Sequence, residues 1–276
     1  MEFEGVLYTY NQETRLTAFE SKPLSSRVLV FIGGLGDGYN AVPFLRPLQK
    51  ELANIGWSLV QVQLSSSNNG YGTSSLAQDV EELDELVKYL KTREKSEIVF
   101  MGHSTGSQDC LLHSRRGEMR DSVSGYLLQA PVSDREGMQG EMPKLEEYIE
   151  LATKLCAERK GEAWMPHEIG VPMTASRFFS LFAVGGDDDM FSSDLSDEFL
   201  SNLYKDVDRP MLLLGSECDE FYKPTRISQR DLLKRFASFS PLVSSDIVSG
   251  ADHSVTQLDS QPYLCQTVLS FIKERI

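Results

Sequence analysis

The chain is poor in the residues that carry metal, redox and nucleic-acid chemistry. Its 276 residues include four cysteines, four histidines and two tryptophans, with 27 Lys+Arg against 41 Asp+Glu. Cys110, Cys156, Cys218 and Cys265 are scattered, with no C-x-x-C pair and no histidine at metal-ligand spacing. Neither a metal site nor a disulfide framework is expected, and the thiols read as free in a reducing compartment. A formal charge of −14 and the lack of any Lys/Arg stripe exclude a phosphate-binding surface, so no nucleic-acid partner is expected. No run of about 18 uncharged apolar residues is present, so no membrane span is expected. The opening Met1-Glu2-Phe3-Glu4-Gly5 lacks the basic start and apolar stretch of a secretory signal, which makes the cytoplasm the expected location. There is no P-loop. Gly36-Asp37-Gly38-Tyr39-Asn40-Ala41 meets only a relaxed dinucleotide fingerprint, and no Asp or Glu occurs from Leu52 to Gln78, where a ribose-binding acid would lie. No cofactor is expected.

What remains is ordinary globular material, 41% hydrophobic and 25% charged. Gly5–Tyr10 and Arg15–Glu20 flank Asn11-Gln12-Glu13 and read as a hairpin. Arg27–Ile32 is a near-continuous apolar run, the pattern of a strand buried on both faces. Ser58–Leu64, Glu97–Met101, Gly125–Leu128, Pro210–Gly215 and Asp246–Val248 are further strand candidates. Between them, Ser75–Lys91 places Leu76, Val80, Leu83, Val87 and Leu90 on one helical face, behind a capping-box pattern of Ser75 and Gln78. Pro43–Ile55, Ser107–Arg115, Lys223–Ala237 and Asp259–Lys273 are weaker helix candidates. The alternation calls for a mostly parallel sheet covered by helices on both faces, in a single domain over 1–276. Residues 134–207 break it. They are helical, charged and punctuated by Gly and Pro, and read as a lid inserted between two sheet strands, with Arg177 pairing with the Asp187–Asp189 turn.

The chemistry concentrates at Gly102-His103-Ser104-Thr105-Gly106. A strand runs into this G-x-S-x-G pattern and a helix runs out, which is the setting of a nucleophile elbow with Ser104 lifted into solvent. A serine hydroxyl needs a base, and His253, in the loop after the last strand candidate, faces the same rim of the sheet. His103, inside the elbow, points away; His113 lies on the following helix and His167 in the insertion. The orienting acid comes between serine and histidine in such a sheet. Asp219, past the buried run Met211–Gly215, is preferred over Asp134, Glu217 and Glu220. Two backbone N–H groups are needed for an oxyanion, and Thr105 and Leu35, within Gly33-Gly34-Leu35-Gly36, are the candidates. Trp164, Phe178 and Phe179 are candidates for lining the substrate pocket from the lid.

These residues resemble the α/β-hydrolase superfamily over almost the whole chain. Two stretches are similar to the fungal fusarinine C (siderophore) esterase family and its uncharacterised eukaryotic relatives. One is the elbow Gly102–Asp109; the more specific one is Arg177-Phe178-Phe179-Ser180-Leu181 with Gly186-Asp187-Asp188-Asp189-Met190-Phe191-Ser192-Ser193-Asp194-Leu195. The resemblance implies an α/β-hydrolase fold, a triad of Ser104, Asp219 and His253, and hydrolysis of a small-molecule carboxylic ester, a siderophore-type ester among the candidates. The chain departs from many hydrolases in having Gly33-Gly34 where they have His-Gly. An amidase or thioesterase with the same triad, and a non-catalytic binding protein on this scaffold, are the competing readings.

Overall fold

The computed structural model describes residues 2–223 and 227–276. The strands are β1 (Gly5–Asn11), β2 (Leu16–Ser21), β3 (Arg27–Ile32), β4 (Ser58–Val62), β5 (Glu97–His103), β6 (Gly125–Gln129), β7 (Met211–Ser216) and β8 (Val243–Val248). They form one sheet in the order β1-β2-β4-β3-β5-β6-β7-β8. β1 and β2 are the antiparallel hairpin read from the sequence, and β2 joins β4 antiparallel; every other pairing is parallel. β8 is longer than the Asp246–Val248 expected. Ser244, Ser245 and Asp246 conceal its start, because this strand ends the sheet and its middle residues are only partly covered.

Alternation along the central strands decides which layer each side chain enters. Val28, Val30, Ile32, Ile98, Phe100, Tyr126, Leu128, Met211 and Leu213 share one apolar cluster, whereas Leu29, Phe31, Val99, Met101, Leu127, Leu212 and Leu214 belong to another. The first face is covered by α2 (Leu76–Thr92), α3 (Gly106–Arg116), α7 (Asp197–Tyr204) and α8 (Gln229–Ala237), the second by α1 (Leu45–Asn54) and α9 (Gln261–Arg275). Each fully buried Leu or Val contributes roughly 1.5–3 kcal/mol. α2 begins where the cap pattern places it, with the Ser75 hydroxyl accepting from the Gln78 N–H at 3.2 Å. α8 starts later than the Lys223 expected; residues 224–226 lie outside the described ones. Among the described residues no helix is long and apolar enough to cross a membrane.

Residues 134–207 carry α4 (Asp134–Gly137), α5 (Leu145–Ala157), α6 (Ala175–Phe182) and α7, between β6 and β7. Their packing divides them. Leu145, Ala152, Met165, Met173, Phe178, Leu181 and Phe182 form a cluster of their own, whereas Met190, Phe191, Leu200, Leu203 and Tyr204 join the core under the sheet. The inserted layer is therefore the first half, and the second half belongs to the body. Arg177 of α6 ties them together. Its buried guanidinium donates through Nη1 to Asp188 at 2.6 Å and through Nε to the Tyr71 carbonyl at 2.9 Å. The Ser180 hydroxyl donates to the same Asp188 oxygen at 2.6 Å. Within the acidic turn, Asp188 is thus the partner of Arg177, Asp189 faces Arg135 at 3.3 Å, and Asp187 is exposed.

Removing one partner of a buried ion pair leaves an uncompensated charge, at a cost of roughly 3–5 kcal/mol. Arg177→Met should lower the unfolding free energy in urea by about that amount, and adding Asp188→Asn should recover part of it. A loss within experimental error for Arg177→Met would show that the pair does not anchor α6.

Candidate functional site

β5 ends at His103 and α3 begins at Gly106, so Ser104 and Thr105 make the whole turn. Ser104 has φ 53°, a left-handed backbone that costs a non-glycine residue about 1–3 kcal/mol. The surrounding packing holds it there. A Cβ on Gly102 would lie 1.9 Å from the Gly106 carbonyl oxygen, and one on Gly106 would lie 2.5 Å from that of Ile32. The turn is thus pressed against its own helix and against β3, with no space for side chains on either flank. The Ser104 N–H donates to the Gln129 carbonyl at 3.0 Å, and its own carbonyl accepts from Ser107 at 2.8 Å.

His253 and Asp219 come together from the loops after β8 and β7. The two Asp219 carboxylate oxygens lie 2.9 and 3.0 Å from His253 Nδ1. A carboxylate accepts, so Nδ1 carries the hydrogen and Nε2 is left as the basic nitrogen. Glu220 accepts the His253 N–H at 2.9 Å, and Glu217 accepts from Gly250 at 2.8 Å, so both acids hold the histidine loop. Asp134 accepts instead from the Gln108 amide at 2.8 Å. Of the other histidines, His113 is buried between Tyr126 and Asp84, and His167 is exposed beside Glu168.

Two further groups flank the imidazole. Phe221 stands edge-on to His253, with centroids 4.7 Å apart and planes at 73°, and its N–H donates to Asp219 at 3.0 Å. On another side lies His103, 4.9 Å from His253 by ring centroids. The side chain expected to point away from the serine thus packs behind the histidine. Phe221 carried a sequence signal, an aromatic two residues past the acid; His103 and Gln129 carried little, since polar residues ending a buried strand are common.

The loop after β3 approaches the elbow closely, and a Cβ on Gly34 would meet that of Ser104 at 2.7 Å. The Gly34 N–H donates to Asp37 Oδ2 at 2.7 Å, and the Asp37 N–H returns a bond to the Gly34 carbonyl at 3.0 Å. Among the described residues, the N–H groups of Leu35 and Thr105 donate no hydrogen bond. The Leu35 side chain packs against the apolar cluster of the insertion, together with Tyr71, Met138 and Phe179. Phe178 is fully buried inside that cluster, against Phe182 and Tyr148, and Trp164 is 64% exposed in a bridge to Thr174. Of the three aromatic residues read as pocket-lining, Phe179 is the one partly buried against that cluster.

A family model described as "Protein of unknown function (DUF1749)" matches residues 1–273. A UPF0613 protein of Schizosaccharomyces pombe is 36% identical, over 91% of this chain and 90% of its own length. The fusarinine C esterase of Aspergillus fumigatus is 28% identical, over 97% of this chain and 95% of its own. Among solved structures, the siderophore hydrolase EstB from Aspergillus fumigatus superposes with a TM-score of 0.84 at 26% identity, covering 100% of this chain and 98% of that one. The architecture is the α/β-hydrolase fold expected from the sequence, with its mostly parallel sheet and N-terminal hairpin.

Between the insertion and the body lies a concentration of buried acids. Burial, opposed by Ser66, Arg177 and Ser74 and reinforced by Glu82, raises the Asp79 carboxyl to about 7. Burial and then the charges of Asp79 and Asp188 hold Asp109 well above the usual carboxylate range. Asp134 is raised to about 7 by burial and then by Asp188, against the favourable charges of Arg177 and His253. A carboxyl whose folded pKa is raised keeps its proton where the unfolded chain has lost it. Between the ordinary 3.8 and about 7 the folded chain therefore binds more protons, and stability falls as pH rises. Asp79→Asn removes one such proton. Its urea midpoint should decline less than that of the wild type from pH 4 to pH 7, with the variant the more stable of the two at pH 7. An unchanged pH slope would show that Asp79 is ionised throughout.

Proposed function

The chain belongs to the DUF1749 family, and we propose that it is a serine esterase acting on small-molecule carboxylic esters through an acyl-enzyme. The observation that carries this reading is Ser104 at φ 53° on the β5–α3 turn, together with the Asp219–His253 pair formed by the loops after β7 and β8 and packed against the His103 ring. Ser104 Oγ attacks the ester carbonyl while His253 Nε2 takes its proton, and Asp219 holds the imidazole in the tautomer that leaves Nε2 free. The oxyanion sits between the Leu35 and Thr105 N–H groups, at the positive end of α3. His253 then protonates the departing alcohol, takes a proton from water, and the resulting hydroxide releases the carboxylic acid and restores the serine. The inserted layer is a lid over the Leu35 loop. The likeness to a fusarinine C esterase and a siderophore hydrolase favours a siderophore-type ester as substrate. The cysteines, all free, fit a reducing compartment such as the cytoplasm.

Ser104→Ala should leave the fold intact and lower nitrophenyl-ester turnover by roughly four to six orders of magnitude. Asp219→Asn should lower it by about ten-thousand-fold and Asp134→Asn far less, since Asp219 is the acid that sets the histidine tautomer. Equal losses for the two aspartates would move the acid to Asp134, and a tenth of the activity surviving in Ser104→Ala would end the nucleophile assignment.

Phe221 is 47% exposed beside the base, and Phe179, like Leu35, is partly buried against the apolar cluster of the insertion. Contacts with a bulky acyl or alcohol group add binding that an acetyl ester does not have. Phe179→Ala and Phe221→Ala together should therefore lower kcat/KM for a bulky ester relative to an acetyl ester by about tenfold. An unchanged ratio in steady-state assays would assign selectivity to other loops.

A further inference from the structure

Gln129 is a fully buried amide at the end of β6, and the serine-esterase reading assigns it no part. Its register partners are His103 on β5 and Leu214 on β7, so it lies between the strand that delivers the serine and the strand that precedes the acid. Its side chain spans three elements. Nε2 lies 3.2 Å from the His253 carbonyl oxygen and 3.4 Å from Ser216 Oγ, and Oε1 lies 2.6 Å from His103 Nδ1. The Gln129 backbone carbonyl accepts from the Ser104 N–H at 3.0 Å and from the Ser107 hydroxyl at 3.3 Å.

The orientation of this amide follows from its partners. A backbone carbonyl only accepts, so the atom facing His253 O is the NH2 group. Oε1 therefore faces His103, and as an acceptor it requires the hydrogen on Nδ1, which fixes the His103 tautomer. His103 remains neutral across any working pH, because burial and then the charge of protonated His253 push its pKa down to about 3. The neutral ring packs against the His253 imidazole, which also meets Asp219 and Phe221. One amide thus grips the histidine loop by its carbonyl, the end of β7 by Ser216, and the ring behind the imidazole.

We infer that Gln129 is a positioning residue that sets the His253 imidazole against Ser104 by clamping the His253 carbonyl and the His103 ring at once. This rests on the serine-esterase reading. Its physical basis is that general-base catalysis depends steeply on the placement of the base, so a displacement of about 1 Å can cost roughly a hundredfold in rate. A mixed hydrogen-bond set is needed here. An apolar residue of equal length leaves the His253 carbonyl and His103 Nδ1–H unpaired, and a carboxylate keeps the His103 bond but has no hydrogen for the carbonyl.

The test compares the wild type with Gln129→Met and Gln129→Glu, both near the native side-chain length. Three quantities are read on folded protein: the second-order rate of Ser104 labelling by a fluorophosphonate, kcat and KM on a nitrophenyl ester, and the downfield proton resonance of His253 Nδ1–H. Both variants should label and turn over 10- to 100-fold more slowly with KM within threefold, and the resonance should shift or broaden. A variant that melts at lower temperature yet labels at the wild-type rate with an unmoved resonance would reduce Gln129 to a packing residue and overturn the inference. If one variant fails to fold, the other decides by the same readouts. If the wild type itself is neither labelled nor active, the esterase reading fails and the inference falls with it, an outcome distinct from equal rates in wild type and variants.

Discussion

The organisation of this protein depends on how closely β3, β5 and α3 approach one another around Ser104. The left-handed backbone at that residue is unfavourable by itself and persists only because its neighbours leave no alternative. Gly102 and Gly106 remove the side chains that would push the helix off the strand, and Gly34 does the same for the loop arriving from β3. The consequences extend outward. Among the described residues the N–H groups of Thr105, in that turn, and of Leu35, within the Gly34–Asp37 turn, donate no hydrogen bond. The loops after β7 and β8 leave the carboxyl ends of parallel strands, the rim at which β5 delivers Ser104, and there Asp219 meets His253.

Polar groups are buried here in two different manners. Around the imidazole they are paired with complementary donors and acceptors, as in Asp219 with His253, Glu220 with the His253 N–H, and Gln129 with His103. Between the inserted layer and the body they are mismatched in sign. Asp79, Asp109, Asp134 and Asp188 surround the single guanidinium of Arg177, and the surplus is relieved by protonation, which raised carboxyl pKa values express. The first arrangement gives an imidazole of defined orientation. The second makes the attachment of the inserted layer sensitive to proton concentration, because each carboxyl that ionises adds uncompensated charge in a poorly solvated interface.

Much of this was legible from residue order because it rests on local rules. The elbow was readable since a strand, a glycine-flanked serine and a helix occupy consecutive positions, and α2 was readable from five aliphatic residues on one face behind Ser75. Asp219 could be separated from Glu217 and Glu220 only by its distance past β7, and the geometry separates them by contact, with both glutamates holding backbone N–H groups of the histidine loop. The start of β8 was hidden by Ser244, Ser245 and Asp246, whose polarity suits a strand at the end of the sheet and not one in its middle. The insertion was visible as a break in alternation, but its division was not. Phe178 and Phe191 are both buried aromatic residues, and nothing local distinguishes the one that fills the inserted layer from the one that fills the body.

The sequence by itself determined the layered α/β architecture and the strand, glycine-flanked turn and helix around Ser104. Each of these follows from periodicity, glycine placement or the order of strands, which act over a few residues. Tertiary structure alone decided that His103 packs against His253, that Phe221 faces it edge-on, that Asp188 and not Asp187 receives Arg177, and that Gln129 joins the ends of β5 and β7 to the histidine loop through one amide. Those relations join residues far apart in the chain, and they exist only once the twist and register of the parallel strands have set which side chains converge.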